Sequence, residues 1–143
     1  MATDRRAEVT WNGSLMDGSG TIRSTTSGAI GEQQVSWPNR AEDAPSATSP
    51  EELIAAAHAA CFAMALSHGL AGAGHAPEQL DTSATVTFQP GQGITKIALT
   101  VEGSVPGIDD AAFQDAARTA KENCPVSQAL ASVPEISLEA TLR

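Results

Sequence analysis

Hydrophobic and polar residues alternate with a period of two in several stretches of the chain, the pattern of strands that bury one face. The predicted strands are 7–12, 20–26, 33–37, 83–89, 97–101 and 136–143. The turn sequence Pro90-Gly91-Gln92-Gly93 separates the fourth strand from the fifth, so these two are predicted to form a hairpin.

Two stretches carry helical signals instead. Ser49 suits a helix cap and Pro50 the first helical position, and the pattern continues to the glycines at 69–74. The second helix is predicted to start at the cap Asp109 and to end or restart at Pro125. The predicted inner face of the first helix is Leu53, Ile54, Ala57, Ala60, Cys61 and Met64. With 39–48 as a loop, the order β-β-β-α-β-β-α-β predicts an α+β fold in a single domain over 1–143.

Composition and charge narrow the function classes. Aromatic residues are only 3% of the 143 residues, so the core must be built from Ala, Val, Ile and Leu, and a second subunit would add apolar burial. The net charge of −9 disfavours nucleic acid and anionic membranes as partners, because both need Lys and Arg to neutralise phosphate.

The cellular location of the protein is predicted from the lack of targeting or membrane segments and from the use of cysteine. No apolar stretch follows the charged start of the chain, so no signal peptide is expected. The longest apolar run, 53–66, is shorter than a bilayer requires. Two cysteines in such a chain indicate the cytoplasm, where a transient disulfide is more plausible than a permanent one.

Cys61 and Cys124 are the candidate reactive residues. The residues alone leave three interpretations open: the cysteines are small buried hydrophobic residues, redox-active thiols or metal ligands. Metal binding is the weakest of these, because no CxxC occurs and His58 is the only nearby second ligand. His58 itself is interpreted as a packing histidine in preference to a group that tunes Cys61. Since Cys61 is predicted to lie in mid-helix, a cation from elsewhere would have to activate it.

Several motifs together resemble the OsmC/Ohr family of thiol peroxidases, and its OsmC branch most closely. They are PEELI at 50–54, AHAACF at 57–62, ITKIAL at 94–99, VPGI at 105–108 and NCPVS at 123–127. The resemblance implies an OsmC-like fold with antiparallel sheets around two central helices in an intertwined homodimer. It also implies a peroxidase that uses no cofactor and no metal. Such an enzyme reduces organic hydroperoxides, and hydrogen peroxide less efficiently, and is recycled by a dithiol donor such as a dihydrolipoyl protein.

The same resemblance implies roles for individual residues. Cys61 matches the peroxidatic cysteine and Cys124 the resolving one, with a disulfide between them as intermediate. Arg40 matches the activating arginine and Glu51 the carboxylate that holds it. The stretch from Arg40 to Glu51 is longer than the usual family pattern, so Arg23 is kept as the alternative arginine.

The spacing along the first helix suggests where the arginine acts. Glu51 and Cys61 are ten residues apart, about 15 Å on a straight helix. Either the helix bends, or Arg40 and Glu51 act on Cys61 of a second subunit, which is the preferred hypothesis. The rival to the enzyme is a non-catalytic hydroperoxide-sensing or small-molecule-binding protein on the same fold.

Overall fold

The structure is a computed structural model that describes residues 1–42 and 45–143. The chain divides into two compact units, Met1–Pro50 and Glu51–Arg143. Whether they make up one domain, as the sequence predicts, stays a prediction, and each unit is described by itself.

The first unit contains a small antiparallel sheet in the order β1-β2-β3. Its strands are β1 (Ala7–Asn12), β2 (Ser19–Thr25) and β3 (Gln33–Val35), so the third strand is shorter than predicted. A short helix, α1 (Trp37–Ala41), follows and occupies part of the predicted loop. The helix begins here because Pro38 suits its first turn and the Ser36 side chain accepts a hydrogen bond from the Asn39 amide.

The second unit contains the five elements of the predicted pattern and one further short helix. Its elements are α2 (Pro50–Gly72), β4 (Gln79–Gln89), β5 (Gly93–Ser104), α3 (Asp110–Asn123), α4 (Pro125–Ala129) and β6 (Glu135–Leu142). The predicted hairpin is present as the antiparallel pair β4–β5. The predicted cap is also present, because the Asp109 side chain accepts a hydrogen bond from the Ala112 amide at 2.8 Å.

The sheet of the second unit is mixed, with strand order β4-β5-β6, and is not wholly antiparallel as predicted. β6 runs parallel to β5, with Lys96 opposite Glu135 and Gly103 opposite Leu142. The reason is the connection: α3 and α4 carry the chain back along the sheet, so β6 starts at the same end as β5. Lys96 and Glu135 form a salt bridge of 2.9 Å at that starting end.

The core of the second unit lies between α2, α3 and β5. Its buried hydrophobic residues are Phe62, Leu66, Leu70, Ile97, Leu99, Val101, Val105, Phe113, Ala117 and Ala120. The face of α2 that enters this core is therefore not the predicted one, and Met64 on the predicted face is 73% exposed. The prediction failed because α2 is apolar on nearly all sides, so periodicity alone does not distinguish the core face.

α2 is also longer than the apolar run on which the sequence argument relied. It has 23 residues, and by length and composition it is the one helix among the described residues that could cross a membrane. Core helices of soluble proteins meet the same criteria, so this is weak evidence for a span. Only 22% of its most apolar window is buried within the chain.

Candidate active site

Three helices of the second unit position the two cysteines. Cys61 lies in the middle of α2, and Cys124 lies at the junction between α3 and α4. The Cys124 amide makes the last bond of α3, to the Ala120 carbonyl at 2.9 Å, and Pro125 then starts α4. Pro125 keeps the preceding residue out of helical geometry, and Cys124 accordingly has ψ of 121°. The kink between the two helices fixes where this sulfur lies.

The two sulfurs meet although the residues are 63 positions apart in sequence. Both cysteines are free thiols, and their side chains lie close enough for one thiol to interact with the other. They differ in access, because Cys124 is 0% exposed whereas Cys61 is only partly buried. A reagent from solvent therefore reaches Cys61 first.

Cys61 opens into a groove of about 850 Å³ between α2 and α3. The lining is mostly apolar and includes Ala57, Ala60, Met64, Ala65, Ala116 and Pro125. Polar groups reach the groove from Asp115, Asn123 and His68. Much of the face that the sequence predicted as the inner face of the helix thus lines this groove.

The surroundings of the pair act differently on the two thiols. Burial raises the pKa of the Cys61 thiol, and the hydrogen bond to Cys124 raises it further. Burial opposes ionisation of Cys124 as well, but hydrogen bonds from Cys61, Ser127 and Val126 outweigh it and lower the pKa of that thiol. These groups thus favour the thiolate at Cys124, so an accessible thiolate at Cys61 needs a cation beside it.

His58 and Ser127 form a buried polar pair next to the cysteines. Nε2 of His58 lies 2.7 Å from Oγ of Ser127, and the two residues are 0% and 7% exposed. Burial lowers the pKa of His58, which favours the neutral imidazole. His58 therefore contacts the residue that acts on Cys124, and it does so through Nε2. Sequence reasoning gave Ser127 no role, although it belongs to the NCPVS motif.

The remaining predicted site residues lie at the start of α2 and in the first unit. Glu51 is in the first turn of α2 and is 6% exposed. It shares an unbroken helix with Cys61, so the predicted separation of about 15 Å holds. Arg40 lies in the last turn of α1 and is partly buried. The alternative, Arg23, forms a salt bridge of 2.8 Å with Glu8 across β1 and β2.

Within residues 1–42 and 45–143, no three His, Cys, Asp or Glu side chains come together as a metal site would require.

The chain is similar to known proteins along its whole length. The model of a family described as OsmC-like protein matches residues 42–139. Peroxiredoxin OsmC of Escherichia coli K12 is 44% identical, covering 100% of this chain and 99% of that protein. The organic hydroperoxide resistance protein OhrB of Bacillus subtilis is 26% identical over 80% of this chain and 85% of that protein.

Solved structures extend the similarity to the fold. The crystal structure of Bacillus subtilis OhrB has a TM-score of 0.62 at 26% identity, covering 96% of this chain and 98% of that one. An organic hydroperoxide resistance protein OsmC from Legionella pneumophila has a TM-score of 0.64 at 21% identity, covering 96% of each chain. The predicted OsmC-like α+β fold is confirmed.

Proposed function

Because this chain belongs to the OsmC-like protein family, we propose that it is a thiol peroxidase that reduces organic hydroperoxides to alcohols, and hydrogen peroxide less efficiently. The observation that carries the proposal is the contact between Cys61 and Cys124, with only Cys61 open to the groove. The names of the Escherichia coli and Bacillus subtilis relatives support the same chemistry.

The proposed reaction has two oxidative steps. The Cys61 thiolate attacks one oxygen of ROOH, the O–O bond breaks, and the alkoxide takes a proton and leaves as alcohol. Cys61 is then a sulfenic acid. The Cys124 sulfur attacks the Cys61 sulfur, the S–O bond breaks, and water leaves with the proton that Cys124 gave up. The result is a Cys61–Cys124 disulfide.

The groove supports an organic rather than an inorganic peroxide as the preferred substrate. Small apolar side chains such as Ala57, Ala60 and Ala65 line it next to Cys61. An alkyl or aryl group bound there would be removed from water, which favours binding roughly in proportion to the apolar area covered. Hydrogen peroxide gains nothing from this contact.

A dithiol donor, such as a dihydrolipoyl protein, is proposed to regenerate the enzyme in the cytoplasm. Its thiolate would attack the accessible sulfur of Cys61 and release Cys124 as the leaving thiolate. A leaving thiol of low pKa departs faster, and the surroundings lower the pKa of Cys124. A second donor thiol then releases Cys61, so both protein thiols are restored and the donor becomes a disulfide.

Activation of Cys61 is proposed to require a second copy of the chain. Arg40 would supply the guanidinium and Glu51 the carboxylate that orients it, in a homodimer with two shared sites. Two observations support this: the raised pKa of Cys61 within one chain, and the apolar face of α2 that includes the exposed Met64. In a homodimer the second copy would form the outer wall of the groove that this face lines, and would leave room for the substrate.

The test is consumption of cumene hydroperoxide with dihydrolipoamide as donor. We expect turnover by the native protein and none by Cys61→Ser. Ser83→Ala is the control and should keep native turnover, because Ser83 is exposed on β4 and its hydroxyl contacts that of Thr100 on β5. Turnover retained in Cys61→Ser would remove the assignment, and no turnover in the native protein would favour the sensing or binding protein.

A further inference from the structure

His58 and Ser127 are buried beside the resolving thiol, and neither has a role in the reaction steps proposed above. Their contact joins α2 to α4 over 69 positions of sequence. Each of these buried polar side chains needs a hydrogen-bond partner, and each can therefore influence the polar groups around it, including the nearby sulfur.

The tautomer of His58 sets the direction of this contact. Nδ1 of His58 is buried and has no hydrogen-bond partner among the described residues. A buried N–H without an acceptor is rarer than a buried acceptor without a donor, which places the single proton of the neutral ring on Nε2. Nε2–H then donates to Oγ of Ser127 at 2.7 Å.

This direction leaves the hydroxyl proton of Ser127 available for a second acceptor. Ser127 follows Cys124 by three residues, in the first turn of α4, and its hydroxyl is one of the groups that lower the pKa of the Cys124 thiol. The Cys124 side chain does not cap α4, so removing the Ser127 hydroxyl disturbs no capping bond. The polar chain therefore runs from His58 through Ser127 to Cys124.

We propose that Ser127, oriented by His58, is a positioning residue that donates a hydrogen bond to the Cys124 thiolate and so speeds disulfide formation. The inference rests on the proposed function and deepens it. Ser127 keeps its proton throughout: it stabilises the thiolate that attacks the Cys61 sulfenic acid. The S–O bond breaks, and the departing hydroxide takes up from solvent the proton that Cys124 had released and leaves as water. Attack on the hydroperoxide, which takes place at Cys61, does not involve the pair.

Other titratable groups near the site must be separated from this effect. From α2 they are Cys61 itself and His68, which lines the groove. From α3, Asp115 lines the groove and pairs with Arg118. The core residues contributed by β5 are apolar and do not titrate. Within each measurement, the variants that are compared share all of these groups.

The first measurement does not depend on peroxidase activity. In a Cys61→Ser background, Cys124 is the only thiol, and its ionisation can be followed by the ultraviolet absorbance of the thiolate. Adding Ser127→Ala should move the Cys124 pKa upward, Ser127→Thr should leave it near the starting value, and Ser83→Ala should not change it. An unchanged Cys124 pKa in Ser127→Ala would overturn the proposal.

The second measurement separates the two oxidative steps in the full-length protein. With cumene hydroperoxide, Ser127→Ala should form the Cys61 sulfenic acid at the native rate. It should form the disulfide about tenfold more slowly at neutral pH, since hydrogen bonds to charged groups have effects of this order. The disulfide rate should recover as the pH rises. An equal slowing at every pH would show a merely structural role and overturn the proposal.

His58 variants test the orienting step. His58→Gln keeps an N–H donor and should slow disulfide formation less than His58→Phe, which keeps the volume and removes the donor. Equal rates in these two variants would contradict a role for the Nε2–H bond. If the native protein does not react with the hydroperoxide, the proposed function fails, while the Cys124 titration still decides the role of Ser127.

Discussion

At the scale of single residues, Gly103 shows how tightly the core of the second unit is packed. The ring of Phe113 lies over this position of β5, and a Cβ built on Gly103 would come within 2.8 Å of Cζ of that ring. The same Cβ would lie 3.1 Å from Cδ2 of Leu80. The ring of Phe113 cannot withdraw easily, because it is 0% exposed.

Gly103→Ala should therefore destabilise the protein by about 1–3 kcal/mol, the usual cost of overpacking a core. The free energy of unfolding in urea measures the effect. Gly31→Ala is the matched control, because nothing lies within 4 Å of a Cβ at that position and its φ is not positive. Its unfolding free energy should stay within about 0.5 kcal/mol of the native value. Equal stability of the two variants would contradict this account of the packing.

At the scale of elements, the start of α3 is the best-defined helix end. Oδ1 of Asp109 accepts from the Ala112 amide at 2.8 Å, and this satisfies one of the four free amides of the first turn. Asp109→Ala should cost about 1 kcal/mol of unfolding free energy, whereas Asp109→Asn should keep most of it because asparagine caps equally well. A loss of the same size in both variants would point to charge rather than to the cap.

The sheet of the second unit carries an ion pair with a defined pH dependence. Arg143, just after β6, reaches Asp81 on β4 and also Glu102 on β5. The hydrogen bond from Arg143, followed by one from Gln79, lowers the pKa of Asp81. A carboxyl whose pKa is lowered by folding stabilises the protein above its unfolded pKa of about 3.9. That contribution is lost as the pH falls through the lower pKa of the folded state.

Arg143→Gln should bring the Asp81 pKa back up toward its ordinary range and remove this part of the acid sensitivity. Titration of the Asp81 carboxyl by nuclear magnetic resonance measures the shift. Arg118→Gln is the control, because it breaks the ion pair with Asp115 on α3 and should leave Asp81 unchanged. Since the pair is exposed, added salt should weaken the effect in the native protein.

The same elements show what could be predicted from the sequence. The β4–β5 hairpin and the Asp109 cap are determined locally, by alternation, turn residues and a side chain within three positions of its partner. The core face of α2 and the parallel pairing of β6 are not local. α2 is apolar nearly all round, and the direction of β6 depends on the path of the two helices before it.

The candidate site follows the same division. The resemblance supplied Cys61 and Cys124 as partners, and the structure brings the two thiols into contact. Ser127 has no signal of its own in a single sequence, because a serine after Cys-Pro-Val suits a helix start for capping reasons alone. Ser127 is identified as part of the site only by its contact with His58, which lies 69 positions away in the sequence.

At the scale of the whole molecule, the apolar face of α2 is the feature that one chain leaves unexplained. Only 22% of its most apolar window is buried, and Met64 is 73% exposed. Covering this face with a second copy would remove apolar surface from water at about 25 cal/mol per Å². In a twofold dimer the same patch of each subunit meets its counterpart, so each contact occurs twice and both α2 faces are covered. The proposed homodimer accounts for this face and for the need of a cation at Cys61.

Mixed dimers test whether the two chains share their sites. A Cys61→Ser chain keeps Arg40, and an Arg40→Ala chain keeps Cys61, so neither homodimer has an intact site. If the sites are shared, each mixed dimer contains one intact site. Random exchange should then restore about a quarter of the native peroxidase rate, because half of the dimers are mixed and each has one working site of two.

Mixing Cys61→Ser with an Arg40→Ala, Cys61→Ser chain is the control and should restore nothing. No rescue in the first mixture, with exchange verified by mass spectrometry, would show that each chain completes its own site. The homodimer would then have to be explained by burial of α2 alone.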